Sequence, residues 1–488
     1  PEMQWPPAAA AAVAAGAPRS NRSTAGGHSP DVQSADGKSP DGLGQSAGGR
    51  PRGGQSRGVA GSRRRTSAAA ECPHSHDDTL QLWHEARTWP TGAVPAAWAN
   101  VTLPEQSRIL LDRSVQVGLL TIPPSATLVL GGGGAEHMRI NATGIVVEPD
   151  GALCAGSEDY PLHSLLTLTL HGDREKKSPP AWYKGLHVKG LLELHGTSYE
   201  RSWSRLAAAA HAGDTSLTTQ HAVDWVAGQR LLLVSTALKD ARDWHQNEVF
   251  TITSVQPSGE GSRVALDGAV QHDHAAGDAY QGEVAVLSRR VVIQGDEASE
   301  PTDLTPVACR GGPGTLGDSS MPCPHTHRSG FGAHLLVSDG GVAHISGVEF
   351  YRMGQTNRLG RYPVHFHMLG HGGADSYVHG SAIWHSFYRC VVVHGSHKVH
   401  VTHNVAYDAI GHCYYLEDGV EEQNIIAFNL AAHVHIIGTP ATGFGQTIAE
   451  VRSHEHLLNP ADVAASGFYI SNAYNEVVGN AASGGWAG

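Results

Sequence analysis

The sequence CVVVH at residues 390–394 is followed 23 residues later by CYYLE at residues 413–417. The triplet NVA at residues 404–406 returns as NLA at residues 429–431, a shift of 25 residues. Self-similarity with a period of about 20–30 residues, without helical periodicity, is typical of solenoids built from β-strands. The repeat therefore predicts a parallel β-helix over residues 331–488, with one coil per repeat.

Asparagines recur near the ends of the predicted strands. Asn404, Asn429 and Asn480 fall between strand-like runs, and we expect them at turns, where asparagine tolerates a left-handed backbone. The chain stops at Gly488 with no polar capping coil, so we expect the solenoid to be cut within the stack.

The preceding sequence is also typical of β-structure. The chain has 488 residues, of which 59 are glycine, 26 are proline and only 16% are charged. This composition suits short strands joined by turns better than long charged helices. Strand-like runs, separated by turn residues, occur in the first part of the chain at Arg108–Leu111, Val115–Ile122, Thr127–Leu130, Met138–Val147 and Leu165–Leu170. Many short strands with turn signals predict an all-β protein.

Composition divides the chain into four segments. Residues 1–72 are rich in alanine, glycine, serine, proline and arginine, and have too few large aliphatic side chains to fold, so we predict disorder there. We assign residues 73–205 to a first β-domain and residues 206–330 to a β-rich connecting region that ends in a glycine- and proline-rich loop. Residues 331–488 form the predicted β-helix.

Charge and hydrophobicity exclude several classes of protein. Residues 1–72 hold 9 basic and 5 acidic side chains, and the remainder holds 25 basic and 41 acidic ones. The acidic remainder is a poor match to nucleic acid, which requires clustered lysine and arginine. An anionic ligand would need a local basic groove or a bridging cation. No stretch approaches the ~20 apolar residues that a transmembrane helix needs.

The strongest candidate site lies on the strand PVHFHM at residues 363–368. Because side chains alternate along a strand, His365 and His367 share the face opposite to the apolar residues. In a β-helix the apolar face points inward, so both imidazoles would point outward. His-x-His alone is a weak motif, and His433-Val434-His435 repeats it later in the chain.

The repeat brings further polar residues beside this strand. If His367, His394 and Glu417 occupy one register, apolar residues stack on the inner side, namely Phe366, Val393 and Leu416. Neighbouring coils lie ~4.8 Å apart. The outward patch would suit a divalent metal, calcium or zinc, with His365, His367 and His394 as its ligands. It would also suit acid–base catalysis, with Asp418 at its edge. The alternative is a solvent-facing ladder of polar side chains without chemistry.

Two pairs of cysteines and two glycosylation sequons bear on the compartment and the stability of the protein. Cys390 and Cys413 lie one coil apart and predict stacked core thiols, with a disulfide as the alternative. Cys309 and Cys323 bracket the glycine- and proline-rich loop, and a disulfide there is the alternative to two free thiols.

The sequons at Asn100 and Asn141 favour an extracellular setting, and so predict glycosylation at these two asparagines.

Several motifs, taken in order, resemble one family of cell-surface proteins. The Trp89-Pro90 pair and the run GALCAGSE at residues 151–158 are similar to the eight-glycine domain. The runs RYPVHFH at residues 361–367, RCV at residues 389–391 and GHCYYLEDG at residues 411–419 resemble fibrocystin-like proteins. They equally resemble the hyaluronan depolymerases related to transmembrane protein 2 and to the cell migration-inducing and hyaluronan-binding protein.

The resemblance covers roughly residues 83–488 and implies an eight-glycine β-domain followed by a right-handed parallel β-helix. It implies a secreted or membrane-anchored ectodomain, with any anchor outside this sequence. The depolymerase branch implies cleavage of hyaluronan with a requirement for calcium, whereas the fibrocystin-like branch implies adhesion, coat or receptor material. Trp384-His385 departs from a His-His pair common to both branches.

Two functions follow from these observations. In the first, the chain is an extracellular enzyme that cuts a hyaluronan-like or uronate-containing polysaccharide. Its acid–base groups would be Glu417 or His394, with Asp418 beside them, and Arg361 would bind the substrate carboxylate. In the second, the chain is a non-catalytic adhesion or glycan-binding module, for which the acidic charge of the folded part and Trp384 are the motivation.

Overall fold

Strands stacked in parallel coils make up most of the protein, which is represented here by a computed structural model. The structure describes residues 72–73, 75–131, 137–176, 179–237, 245–278, 280–301, 307–308, 322–323, 330–356, 358–435 and 465–484. These residues contain 36 strands and three short 3-10 helices, at Ala86–Thr88, Glu297–Ser299 and His371–Asp375. No helix among them has the length and apolar character that crossing a bilayer requires.

The first part of the chain forms ten strands. They are β1 (Gln81–Leu82), β2 (Val101–Thr102), β3 (Arg108–Leu111), β4 (Val115–Ile122), β5 (Thr127–Leu130), β6 (Met138–Val147), β7 (Ala152–Ala155), β8 (Leu166–Leu170), β9 (Gly185–Val188) and β10 (Leu191–His195). A second group of eight strands follows. They are β11 (Trp203–Arg205), β12 (Ser216–Thr218), β13 (Arg230–Leu233), β14 (Glu248–Ser258), β15 (Gly261–Leu266), β16 (Ala276–Gly277), β17 (Tyr280–Gln281) and β18 (Glu283–Val286).

The last part of the chain contributes the remaining eighteen strands. They are β19 (Val291–Gly295), β20 (Val307–Ala308), β21 (Pro322–Cys323), β22 (His334–Val337), β23 (Val342–Ser346), β24 (Val348–Tyr351), β25 (Val364–Gly370), β26 (Tyr377–His379), β27 (Ala382–Ser386), β28 (Val391–Ser396), β29 (His400–Thr402), β30 (Val405–Ile410), β31 (Tyr414–Leu416), β32 (Ile425–Ala427), β33 (Leu430–His435), β34 (Phe468–Tyr469), β35 (Glu476–Val478) and β36 (Ala481–Ser483).

Two large parallel sheets wrap around the coils. The ten-stranded sheet has the order β1-β3-β5-β7-β10-β23-β26-β29-β32-β35. The sixteen-stranded sheet divides at β6, whose first half pairs with β8 and whose second half pairs with β9. Each coil therefore contributes a strand to three faces, which confirms the predicted parallel β-helix. The coils of the first β-domain and those after residue 330 belong to the same sheets, through the β10–β23 and β9–β22 pairs.

The interior of the coils is apolar. The inward positions that the repeat predicts, Phe366, Val393 and Leu416, lie in one hydrophobic cluster and are at most 2% exposed. Burial of such large side chains is worth about 1.5–3 kcal/mol each, so the repeated apolar positions are a main source of stability in the stack.

The asparagines stack at one corner of the coils. Asn404 Nδ2 donates to Asn429 Oδ1 at 3.0 Å, and Asn429 Nδ2 donates to Asn480 Oδ1 at 3.0 Å. Their predicted place at turns is confirmed, but their predicted backbone is not. The left-handed residue is the one that precedes each asparagine, with φ of 58° at His403 and 56° at Phe428. The asparagine side chain instead satisfies the buried backbone of the adjoining coil.

Strands β11–β18 form an antiparallel insertion between the coils. Six of them make a sheet in the order β11-β18-β13-β14-β15-β12, with a separate hydrophobic core that includes Trp225, Leu231 and Phe250. The side chain of Trp203 packs against the wall of the β-helix beside Trp384, and its Nε1 donates to Phe428 O at 2.7 Å. The insertion is thus fastened to the coils by packing and a hydrogen bond.

Two disulfides cross-link residues that the structure describes. Cys72 pairs with Cys154, which ties the residues preceding β1 to β7. Cys390 pairs with Cys413, so the prediction of two core thiols is wrong and the disulfide alternative is present. The predicted Cys309–Cys323 disulfide lies outside the residues whose side chains the structure describes. The disorder predicted for residues 1–72 also falls, apart from Cys72, outside the described residues.

Candidate functional site

Three adjacent strands of one face carry the candidate site. His365 and His367 lie on β25, His394 lies on β28, and Glu417 directly follows β31. His367 is paired with His394 in the parallel ladder, and the backbone N–H of Glu417 donates to Val393 O at 3.1 Å. The predicted register, in which His367, His394 and Glu417 come from successive coils, is therefore present.

The Cys390–Cys413 disulfide fixes this register from the side. Each half-cystine lies four residues before a site residue, Cys390 before His394 and Cys413 before Glu417. Both cysteines are fully buried, and their Cα atoms are 4.5 Å apart. A covalent link so close to the site prevents the two coils from slipping past one another.

The side chains of the cluster converge within hydrogen-bonding and ion-pairing distances. His367 Nδ1 lies 3.1 Å from His394 Nδ1. Glu417 Oε2 lies 3.6 Å from His394 Nδ1 and 3.9 Å from His365 Nε2. Asp418 Oδ2 lies 2.8 Å from His394 Nε2. The site thus has three imidazoles and two carboxylates, as the register predicts. In this article these five side chains are called the His–Glu cluster.

The solvent exposure of the cluster's side chains differs from the prediction. The sequence predicts that the whole patch faces solvent, yet His365 is only 2% exposed and the Glu417 side chain only 8%. The His394 side chain is 20% exposed and that of Asp418 is 46% exposed. Among the described residues, the cluster therefore has a buried floor and a more exposed edge that His367, His394 and Asp418 form.

A small apolar layer outside the β-helix covers the floor. Tyr362 and Tyr388 are fully buried and pack with Val392 and Ile410 in a cluster distinct from the interior of the coils. The Tyr362 ring lies 4.8 Å from the His365 ring, and its hydroxyl donates to Glu417 Oε1 at 3.3 Å. Its two tyrosines lie outside the repeat, which is why the sequence pattern does not reveal this layer.

The loop before β25 places Tyr362. Gly354 has φ of 81°, and a Cβ atom at this position would lie 2.5 Å from the backbone nitrogen of Tyr388. Glycine is therefore required for the close approach of the two loops. The backbone N–H of Gln355 donates to Arg361 O at 2.9 Å and closes the loop just before Tyr362.

The arginine that reaches the cluster is not the one that the sequence predicts. Arg361, the predicted ligand for a substrate carboxylate, donates instead to Pro180 O at 3.0 Å, and its guanidinium lies 2.6 Å from His334 Nε2. It therefore fastens the 179–181 segment and is not brought into the cluster. Arg389 is the arginine that reaches it, with NH1 at 3.8 Å from Glu417 Oε1. Its only sequence signal is its position before Cys390, within a motif shared with the family.

Arg389 is held in a cage of tyrosines. It is 2% exposed, and its guanidinium lies 3.8 Å from the centre of the Tyr415 ring and 4.9 Å from that of Tyr362. Cation–π contacts of this kind stabilise a desolvated arginine. Its positive charge beside Glu417 favours the ionised carboxylate.

Burial sets the protonation of the cluster. The pKa of His365 lies well below its usual range because the ring is buried and because His367 and His394 lie beside it. The pKa of His367 is lowered for the same two reasons, burial and the neighbouring His394. Burial raises the pKa of Glu417, although Arg389 and His394 oppose it. The two imidazoles are therefore neutral at neutral pH, with a lone pair free to bind a metal ion.

Two polar atoms in the floor have no hydrogen-bond partner. They are His365 Nε2 and Glu417 Oε2, and both are buried. An unpaired buried polar group costs about 1–3 kcal/mol, so such groups mark a place where something else can bind. One nitrogen from each of His365, His367 and His394 lies within 4.8 Å of the other two, close enough to hold one metal ion.

The predicted glycosylation sites are at the surface to different degrees. Asn100 is exposed, and its Oδ1 accepts a hydrogen bond from the backbone N–H of Leu119 at 2.9 Å. Asn141 is partly buried on β6, and its Oδ1 lies 2.9 Å from His171 Nε2. Glycosylation of either residue stays a prediction.

Fold and site together define a class, a parallel β-helix protein with a histidine–carboxylate cluster on its outer wall. Comparison of the sequence with known protein families agrees with this class. Residues 88–207 match the G8 domain, and residues 330–488 match the CEMIP beta-helix. The chain is therefore similar to the G8 domain over its first part and to the CEMIP beta-helix over its last part, which confirms the predicted resemblance.

Similar proteins include several from Dictyostelium discoideum. Protein rliB is 35% identical over 427 residues, which cover 86% of this chain and 35% of that protein. Human Fibrocystin-L is 30% identical over 434 residues, which cover 83% of this chain and 10% of that protein. The chain thus spans about a third or less of the length of these relatives.

Among solved structures, the tailspike gp61 of Pseudomonas phage phi297 is similar, with 12% sequence identity and a TM-score of 0.18. That match covers 62% of this chain and 40% of the tailspike, and no functional argument follows from it.

Proposed function

We propose that the chain is an extracellular, glycan-directed module and that the His–Glu cluster is where it cuts an acidic polysaccharide of the hyaluronan type. The observation that carries this proposal is the convergence of three imidazoles and two carboxylates at an open edge of the β-helix wall. Histidine and carboxylate are the groups that most often transfer protons in enzymes. The long outer wall of a β-helix also suits an extended polymer.

Exposure assigns the proton-transfer role to Asp418. Its side chain is 46% exposed and accepts a hydrogen bond from His394 Nε2 at 2.8 Å, whereas the Glu417 side chain is only 8% exposed. A polymer can therefore reach Asp418 and not Glu417. In the proposed hydrolysis, water adds to the anomeric carbon, the glycosidic C–O bond breaks, and Asp418 relays the proton of that water to the leaving oxygen.

The test is to incubate the purified chain with high-molecular-weight hyaluronan, with and without a chelator, and to measure polymer length. Asp418→Asn should lower the rate by about 10²–10⁴-fold, the usual contribution of a general acid or base. The matched control is Asp159→Asn, since Asp159 is exposed and far from the cluster in sequence. Unchanged polymer length with the wild-type chain at high concentration would exclude hyaluronan as the substrate.

The second candidate function is a non-catalytic adhesion or glycan-binding module. Two observations favour it: the floor of the cluster is buried, and Arg361 does not reach it. The two functions make different predictions for one variant. If the chain only binds glycan, His367→Ala should retain the glycan affinity of the wild-type chain, and neither protein should shorten the polymer.

A further inference from the structure

The chemistry of the donor atoms in the His–Glu cluster bears on which cation it can hold. The resemblance to the depolymerase branch implies calcium, which prefers six to eight oxygen ligands. The cluster offers mainly imidazole nitrogens, and the oxygen atoms near it are few. The implied calcium ion and the nitrogen-rich donor atoms of the cluster therefore disagree.

Most of the nearby carboxylate oxygens are already used. Glu421 is fully buried, and its two oxygens accept hydrogen bonds from the backbone N–H groups of Gly395, Asp418 and Gly419 at 2.8–3.1 Å. Asp418 is hydrogen-bonded to His394. Glu417 alone has a buried oxygen without a hydrogen-bond partner. The oxygens that remain in the cluster, Glu417 Oε2 and Asp418 Oδ1, are far fewer than the six to eight that calcium prefers, so calcium fits this cluster poorly.

We propose that His365, His367, His394 and Glu417 form a binding site for a divalent transition metal of the zinc class. The proposal deepens the function proposed above and rests on it only for the role of this site in glycan cleavage. Imidazole nitrogen with one carboxylate oxygen is a donor set that zinc and similar metals prefer.

The spacing of the donor atoms agrees with one four-coordinate ion. A tetrahedral zinc ion with bonds of about 2.0–2.1 Å separates its ligand atoms by about 3.3 Å. The distances here are 3.1 Å from His367 Nδ1 to His394 Nδ1, 3.6 Å from His394 Nδ1 to Glu417 Oε2, and 3.9 Å from Glu417 Oε2 to His365 Nε2. These three distances lie within about 0.6 Å of the tetrahedral spacing, and the three imidazole nitrogens, which lie within 4.8 Å of one another, would have to move inward to close around an ion.

Hydrogen bonds on the far side of two rings turn the correct nitrogens inward. His394 Nε2 faces Asp418 at 2.8 Å, so this nitrogen carries the proton and Nδ1 presents its lone pair to the cluster. His365 Nδ1 faces Gly360 O at 3.4 Å, which leaves Nε2 as the free acceptor. A metal-bound histidine usually donates its other N–H to a carboxylate or a carbonyl, and both arrangements are present here.

A metal ion would also provide a partner for the two unpaired polar atoms in the floor of the cluster. His365 Nε2 and Glu417 Oε2 are buried without hydrogen-bond partners, and both would become ligands. Arg389 and Tyr362 contact Glu417 through Oε1, so Oε2 stays available. Besides the proton transfer proposed above, Asp418 positions the metal ligand His394, because its carboxylate accepts the hydrogen bond from His394 Nε2.

The experiment uses the full chain, stripped with a chelator, reloaded with zinc or calcium chloride and desalted. Metal content is then measured by inductively coupled plasma mass spectrometry. We expect about one zinc ion per wild-type chain and no retained calcium. His367→Ala and Glu417→Gln should lose the zinc, and Asp418→Asn should bind it about 10–100-fold more weakly. Cobalt in place of zinc should give the visible absorption of a four-coordinate site.

His400→Ala is the matched control, because His400 is exposed on a different sheet, and it should keep its zinc. Circular dichroism establishes that each variant is folded. The proposal is overturned if the folded wild-type chain retains no zinc, if His367→Ala retains as much as wild type, or if calcium is retained and zinc does not displace it. Zinc binding without polymer cleavage would reject the proposed function alone. Polymer cleavage by a wild-type chain that retains no zinc after reloading would reject this inference alone.

Discussion

His385 provides the sharpest test of the electrostatics in this fold. It lies on β27 between two carboxylates, with Nδ1 at 2.7 Å from Asp408 Oδ2 and Nε2 at 3.1 Å from Glu300 Oε2. Arg352 shares Glu300, with its Nε at 2.7 Å from Oε1. Burial alone would lower the pKa of His385, but the hydrogen bond to Asp408 and the charges of both carboxylates outweigh it and raise the pKa to about 9.

The size and sign of the effect follow from this pKa. A rise from 6.5 to about 9 corresponds to roughly 3 kcal/mol, at about 1.4 kcal/mol per pH unit. Because the folded state holds the proton more tightly than the unfolded state, the stabilisation is complete below pH 6.5 and is lost as the pH rises through about 9. The perturbation is His385→Gln, which keeps a polar side chain without a titratable ring.

The assay is urea unfolding of the wild type and of His385→Gln at pH 6, 7.5 and 9.5. The difference in unfolding free energy between them should be largest at pH 6 and fall by roughly 3 kcal/mol by pH 9.5. His400→Gln, at an exposed position, should show no such pH dependence. A difference between wild type and His385→Gln that stays constant across this range would refute the reasoning.

Three other predictions concern the core and the site. Asp296→Asn should destabilise the chain by about 3–5 kcal/mol in urea unfolding, because it leaves the fully buried Lys184, whose Nζ is 2.6 Å from Asp296 Oδ1, without its ion pair; a loss below 1 kcal/mol would contradict this. The double variant Cys390→Ser, Cys413→Ser should lose about 3 kcal/mol of unfolding free energy, because the disulfide closes a loop with a separation of 23 residues and so lowers the entropy of the unfolded chain. A melting temperature equal to that of the wild type would count against a stabilising cross-link. Tyr362→Phe should weaken zinc binding about tenfold in a competition titration, since it removes the hydroxyl that orients Glu417, while an unchanged affinity would show that Tyr362 does not position this carboxylate.

Much of the strand pattern could be predicted from the sequence, because local apolar runs and turn residues are local signals. Val115–Ile122, Thr127–Leu130 and Met138–Val147 are strands with the predicted bounds. Residues 185–194 form a single strand-like run in the sequence, yet the structure divides this region between two strands, β9 and β10, on different faces of the coil. A short apolar run does not show where a coil turns its corner.

The candidate site, too, could be predicted from the sequence only in part. The repeat places His367, His394 and Glu417 in one register, since apolar positions must stack on apolar positions in successive coils. It does not place Tyr362 or Arg389, which belong to loops outside the repeat and bury the floor of the cluster. It also leaves the state of Cys390 and Cys413 open, because side chains one coil apart can be either stacked thiols or a disulfide.

The central claim is that successive coils bring three imidazoles and one carboxylate to a single ion. X-ray absorption spectroscopy at the zinc edge of the zinc-loaded wild-type chain tests this most directly. The account predicts about four nitrogen or oxygen ligands at about 2.0–2.1 Å, with the outer-shell scattering of three imidazole rings. A shell of six oxygen ligands without imidazole scattering would contradict it.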